Sequence, residues 1–90
     1  MAWNYRAISE VIEGETVCRV YEVYYDEGGE IDGWTAKPAY PQGESLNELR
    51  SNLIMMLRDV DFQRALDMAD LRERFPDAGR AEGAKEPDGA

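Results

Sequence analysis

Gly43-Glu44-Ser45-Leu46-Asn47-Glu48-Leu49 decides how this chain folds. Ser45 and Glu48 stand three apart, the spacing of a capping box. The Ser45 hydroxyl accepts from the Glu48 amide, and the Glu48 carboxylate reaches back to the Ser45 amide. Leu46, Leu49, Leu53, Met56 and Val60 then recur every three or four residues, which makes one apolar stripe of a helix. Ile54, Met55 and Leu57 lie off that stripe, so the segment Leu53 to Leu57 is expected to pack on two sides at once.

Upstream of this point the period changes to two. Trp3, Tyr5 and Ala7 alternate with Asn4, Arg6 and Ile8, a strand over residues 3–12. Gly14 breaks it. Thr16 to Tyr25 carries Val17, Val20, Tyr21, Val23, Tyr24 and Tyr25, the richest strand-forming run in the chain. Gly28-Gly29 centres a hairpin turn into a third strand, Ile31 to Ala36. Pro38, Pro41 and Gly43 make Lys37 to Gly43 a loop that crosses to the helix.

Downstream, Arg58-Asp59-Val60-Asp61 is a soft boundary. Phe62, Leu66 and Ala69 keep helical spacing, so either the helix runs on or Asp59 or Asp61 caps a second one. Pro76 ends it. Asp77 to Ala90 hold no large apolar side chain and read as a flexible acidic tail. The expectation is a single α+β domain over residues 1–76. It has three antiparallel strands with one main helix across one face and a possible second helix. Leu46, Leu49, Leu53 and Met56 should meet Tyr5, Val20 and Val23.

Composition narrows the function. The chain has 90 residues, 19 acidic and 10 basic, for a net charge of −9. A negative field disfavours direct nucleic-acid binding and favours a basic protein, although acidity also serves plain solubility. The chain has no histidine and one cysteine, Cys18. This excludes histidine triads, the usual zinc sites and an internal disulfide. Cys18 reads as a small buried hydrophobe. No GxGxxG or GxxxxGK[ST] loop occurs. Asp26, Glu30 and Asp32 are acidic and close, but Ile31 and Lys37 stand where an EF-hand needs glycine and glutamate. No catalytic residue, cofactor or metal is expected, and no enzyme activity. No apolar run is long enough to span a membrane and the N-terminus lacks signal-peptide character, so the default compartment is the cytoplasm.

Gly33-Trp34-Thr35-Ala36-Lys37-Pro38, followed by Pro41-Gln42-Gly43-Glu44-Ser45-Leu46-Asn47-Glu48-Leu49, resembles the HicB-like antitoxin domain. The resemblance covers roughly residues 3–60. It implies a three-stranded sheet with one helix, a partial ribonuclease-H-like fold without the nuclease, that binds and blocks a small basic toxin. Members often carry a DNA-binding segment and oligomerise. This chain differs in three ways. The family commonly has a further strand after the helix, where Asp61 to Phe75 reads as helix. The tail leaves no room for a DNA-binding segment. The sheet is rich in tyrosine.

Two other readings stand beside a protein-binding module: a homo-oligomer of structural or regulatory role with no toxin partner, and an acidic mimic of nucleic acid. The candidate interface residues are Tyr21, Tyr25, Trp34, Tyr40, Ile54 and Met55. Trp34 and Tyr40 flank the proline loop, where they either pack in the core or anchor a partner. Thr16 to Tyr25 shows large apolar groups on both parities, more than one helix can shield. A homodimer is therefore expected, through the outer face of the second strand or the Ile54–Met55 face, unless Asp61 to Phe75 folds back over the same surface.

Overall fold

A computed structural model describes residues 2–76; the expected tail, 77–90, lies outside the described residues. The elements run β1 (Ala2–Ile12), β2 (Glu15–Tyr25), β3 (Ile31–Trp34), α1 (Leu46–Phe62), β4 (Leu66–Asp67) and α2 (Met68–Arg74). They form one four-stranded sheet in the order β3-β2-β1-β4. The first three strands are antiparallel, as the alternation predicts, and β4 adds parallel to β1 at Ile8–Leu66 and Ser9–Asp67.

The expected three-stranded antiparallel sheet is therefore corrected to a four-stranded mixed sheet, and the possible second helix is present as α2. The reason lies at Gln63, the C-cap of α1, where the backbone turns extended and the chain drops onto the edge of β1. Neither Asp59 nor Asp61 caps the second helix. Asp67 does, its carboxylate accepting from the Ala69 amide at 3.1 Å.

The β1–β2 hairpin turns on two residues, Glu13 (φ 51°) and Gly14 (φ 83°). Positive φ at both central positions is the turn whose twist matches the flanking strands. The register then fixes two faces. Asn4, Arg6 and Ile8 stand opposite Val23, Tyr21 and Arg19, while Tyr5 and Ala7 stand opposite Glu22 and Val20 on the reverse side.

The core lies on the first face. Ile8, Tyr21, Val23 and Trp34 pack with Met68 and Leu71 of α2, and Tyr25, Ile31, Leu66 and Phe75 close its margin. Leu71 is 0 % exposed. Thus the short α2, and not α1, roofs the sheet here. The Asp61 to Phe75 segment folds back within the chain, and the side of β2 that carries Tyr21 and Val23 is covered from inside. Glu10 ties α2 down, its two oxygens taking Arg19 and Arg72, each at 3.0 Å.

The long helix sits differently from its expected pose. Met56 is buried at 7 % and Leu49 is half-buried, but Leu46 and Leu53 are exposed, and Val23 faces α2 instead. α1 lies along β1. Polar residues hold it there. The Tyr5 amide donates to Asp59 Oδ2 at 3.0 Å, and Asn52 Nδ2 donates to the Tyr5 hydroxyl at 2.9 Å. At its far end Asn4 Nδ2 donates to Gln63 Oε1 at 2.7 Å. Arg6, only 8 % exposed, donates to the Arg64 carbonyl and to the Tyr25 hydroxyl, which in turn donates to Asn4 Oδ1. On the outer edge of β1 the Tyr5 amide is taken by Asp59, and Ile8 and Ser9 pair with β4.

Candidate protein-interaction surface

The helix start is built as the sequence dictates, with one change of partner. Ser45 Oγ accepts from the Glu48 amide at 3.1 Å, whereas Glu48 Oε1 accepts from the amide of Glu44 at 2.9 Å, one residue earlier than the capping box expects. Gly43 is favoured for a different reason: a Cβ there would lie 2.5 Å from the Leu49 amide nitrogen and 2.6 Å from the Glu48 carbonyl carbon. The loop backbone thus rests directly on the first turn of α1.

That contact brings the proline loop against one flank of the helix. Asn52 bridges them, its Oδ1 accepting from the Gln42 amide at 2.9 Å while its amide nitrogen serves Tyr5. Two shallow depressions meet at Gln42 and Asn52. One, of about 270 Å³, is lined by Tyr5, Glu22, Lys37 and Tyr40 among others. The second, of about 420 Å³, includes Gly43, Asn47, Glu48, Ser51 and Met55. Tyr40 is 71 % exposed and Met55 47 %. Glu44 and Glu48 are exposed beside them. The result is two large adaptable side chains on a rim where carboxylates outnumber the one lysine. Tyrosine suits such a place because its rigid ring buries much area at low cost in order, and methionine because its flexible thioether adapts to what it meets.

A third depression, about 540 Å³, lies elsewhere, between α2 and the sheet. Its cations Arg19 and Arg72 are both spent on Glu10, so it is the seam that seats α2.

Comparison with protein families, with curated proteins and with solved structures finds no match for this chain.

Of the six expected interface residues, Tyr40, Ile54 and Met55 are exposed, Tyr25 is half-buried, and Tyr21 and Trp34 are in the core. Tyr21 and Trp34 are thus not presented to a partner as the structure stands. Ile54 and Met55 do not share one surface. Consecutive helical residues point about 100° apart. Met55 joins the loop flank with Ser51 and Asn52, while Ile54 turns outward towards Leu57. Sequence reading missed Gln42, Asn52 and Asp59, because polar residues carry no weight in an apolar periodicity.

Cys18, expected in the core, is exposed. It pairs with Ser9 on the reverse side of the sheet from Ile8, which α2 does not reach. Among the described residues no three acidic or cysteine side chains converge as metal ligands would. Asp26 instead serves its own turn, Oδ1 accepting from the amides of Gly28 and Glu30. No helix among the described residues is long and apolar enough to cross a membrane.

Proposed function

We propose that this chain is a non-catalytic cytoplasmic module that binds a basic protein, in the manner of the HicB-like antitoxin domain. The observation that carries the reading is the loop flank of α1, where Tyr40 and Met55 stand exposed among Glu22, Glu44 and Glu48. Exposed aromatic and thioether groups supply area, and the carboxylates supply steering and selection for a cationic surface. Within the depressions Asn52, the Glu48 carboxylate and the Tyr5 hydroxyl are engaged in holding loop, helix and strand together, a set suited to contact more than to proton transfer.

Two features strengthen the family likeness. A strand does follow the helix, as β4, which removes one of the differences seen in the sequence. Gly43 and Ser45 of the shared motif each have a side-chain-specific task at the helix start, which supports the likeness. The exposed Cys18 thiol suits a reducing compartment.

The test is affinity capture from the source cell with three baits: the natural chain, a Glu48→Lys/Met55→Lys variant, and Leu57→Glu as a control on the opposite side of α1. A basic protein retained by the first and third baits, released by moderate salt and lost with the second is the expected outcome. Equal retention by all three would refute this surface. Retention of the chain's own copies alone would refute the reading.

A further inference from the structure

We infer that α1 pairs with α1 of a second copy, antiparallel, through an outer stripe distinct from the loop flank. The stripe is Leu46, Arg50, Leu53, Ile54, Leu57 and Asp61, at spacings of three, four and seven that place them on one side of a helix. All six are exposed, Leu57 at 63 %. Among the described residues nothing covers this side of α1. α1's own contacts run to β1 through Asn52, Met56 and Asp59, and α2 is committed to the sheet. Four branched aliphatic side chains in line are a poor surface to leave in water. They are arranged as the seam of a helix pair.

Charge selects the occupant and its direction. Arg50 lies one turn inside the N-terminal end of the stripe and Asp61 at its C-terminal end. Arg50 donates to Asn47, and among the described residues neither Arg50 nor Asp61 forms an ion pair within the chain. Parallel pairing sets Arg50 against Arg50 and Asp61 against Asp61. Antiparallel pairing about a two-fold axis between Met55 and Met56 sets Arg50 of each copy opposite Asp61 of the other. The same register places Ile54 opposite Leu57, and both ends of the seam are closed by unlike charges. One chain thus carries both halves of a self-complementary surface, which is what a two-fold interface requires. The loop flank, with Met55 on the other side of the helix, remains outward in such a pair.

Sedimentation equilibrium of the full chain from 1 to about 200 µM tests this. The expected mass is twice the chain's 10.2 kDa at the upper end. Leu57→Glu should return it to the monomer mass with an unchanged circular-dichroism spectrum, since Leu57 has no place in the monomer's core. Asp61→Arg should weaken association at least tenfold, and Arg50→Asp/Asp61→Arg should restore it. A monomer at every concentration would overturn the inference and leave the stripe to residues 77–90 or to a different protein. A dimer indifferent to Leu57→Glu would overturn it too. A single swap that the double swap fails to rescue would refute the antiparallel register. None of these outcomes depends on the basic partner.

Discussion

Gly43→Ala is a one-carbon change whose cost follows from geometry. The new Cβ would sit 2.5 Å from the Leu49 nitrogen and 2.6 Å from the Glu48 carbonyl carbon. Non-bonded heavy atoms are comfortable at about 3.5 Å, so the loop and the helix must part by about 1 Å. These two atoms are backbone and the third, Glu48 Cβ at 2.6 Å, is fixed to it, all in the first turn of a helix anchored by Ser45 and Asn52, so none can swing aside as a side-chain end would. Overpacking of this kind costs about 1–3 kcal/mol. Against it stands a gain of about 0.4–1 kcal/mol, because alanine restricts the unfolded chain more than glycine does. The net loss is about 1–2 kcal/mol, which in a domain this small lowers Tm by roughly 5–15 °C. Gly28→Ala is the internal control. Its nearest neighbour would be Asp26 Oδ1 at 3.5 Å, an ordinary contact, and its φ is not positive. There the unfolded-state gain stands alone and Tm should hold or rise by a few degrees. Thermal unfolding of both variants, followed by circular dichroism at one protein concentration, gives the comparison. If Gly43→Ala melts at or above the natural chain, the close approach of loop to helix does not exist in solution.

Three other outcomes follow from the same structure. Leu71→Ala should lose about 2–5 kcal/mol in urea unfolding, because Leu71 is fully buried in the core; Leu46→Ala, exposed at the start of α1, should lose far less, and equal losses would deny α2 its role as the roof. Glu13→Asn should raise stability by about 0.5–1 kcal/mol in the same assay, since asparagine tolerates the left-handed conformation that Glu13 holds at φ 51°; a loss would mean that the turn is built otherwise. Ser45→Ala should cost about 1 kcal/mol by leaving the Glu48 amide without its acceptor, and an unchanged melting curve would show that Ser45 is not the cap.

The sheet was legible because its rules are local. Alternation marked β1 and β2 to within a residue, and Gly14 and Gly28-Gly29 marked both hairpins. The helix start was legible for the same reason, down to the Ser45–Glu48 bond. Two things were hidden. The first was β4, whose two residues sit inside a run with helical spacing; only the edge of β1 turns Leu66 and Asp67 into a strand. The second was the rotation of α1. An apolar stripe was read as the buried side, but Asn52 and Asp59 face β1 through hydrogen bonds that no hydrophobic pattern records. The helix is turned by about half a residue step from the pattern's prediction, which leaves Leu46 and Leu53 outside. Of the surplus apolar positions, Tyr21 and Val23 on β2 are covered within the chain, and Leu46, Leu53, Ile54 and Leu57 on α1 stay exposed.

Hydroxyl-radical footprinting of the chain, alone and in complex with the basic protein it captures, tests the proposed binding surface most directly. In the free chain Tyr40 and Met55 should be modified readily and Met68 hardly at all, in keeping with their exposure. On binding, the proposed surface predicts that Tyr40 and Met55 become protected together. Undiminished modification of both in the complex, with protection falling instead on Trp3 and Val11, would contradict it.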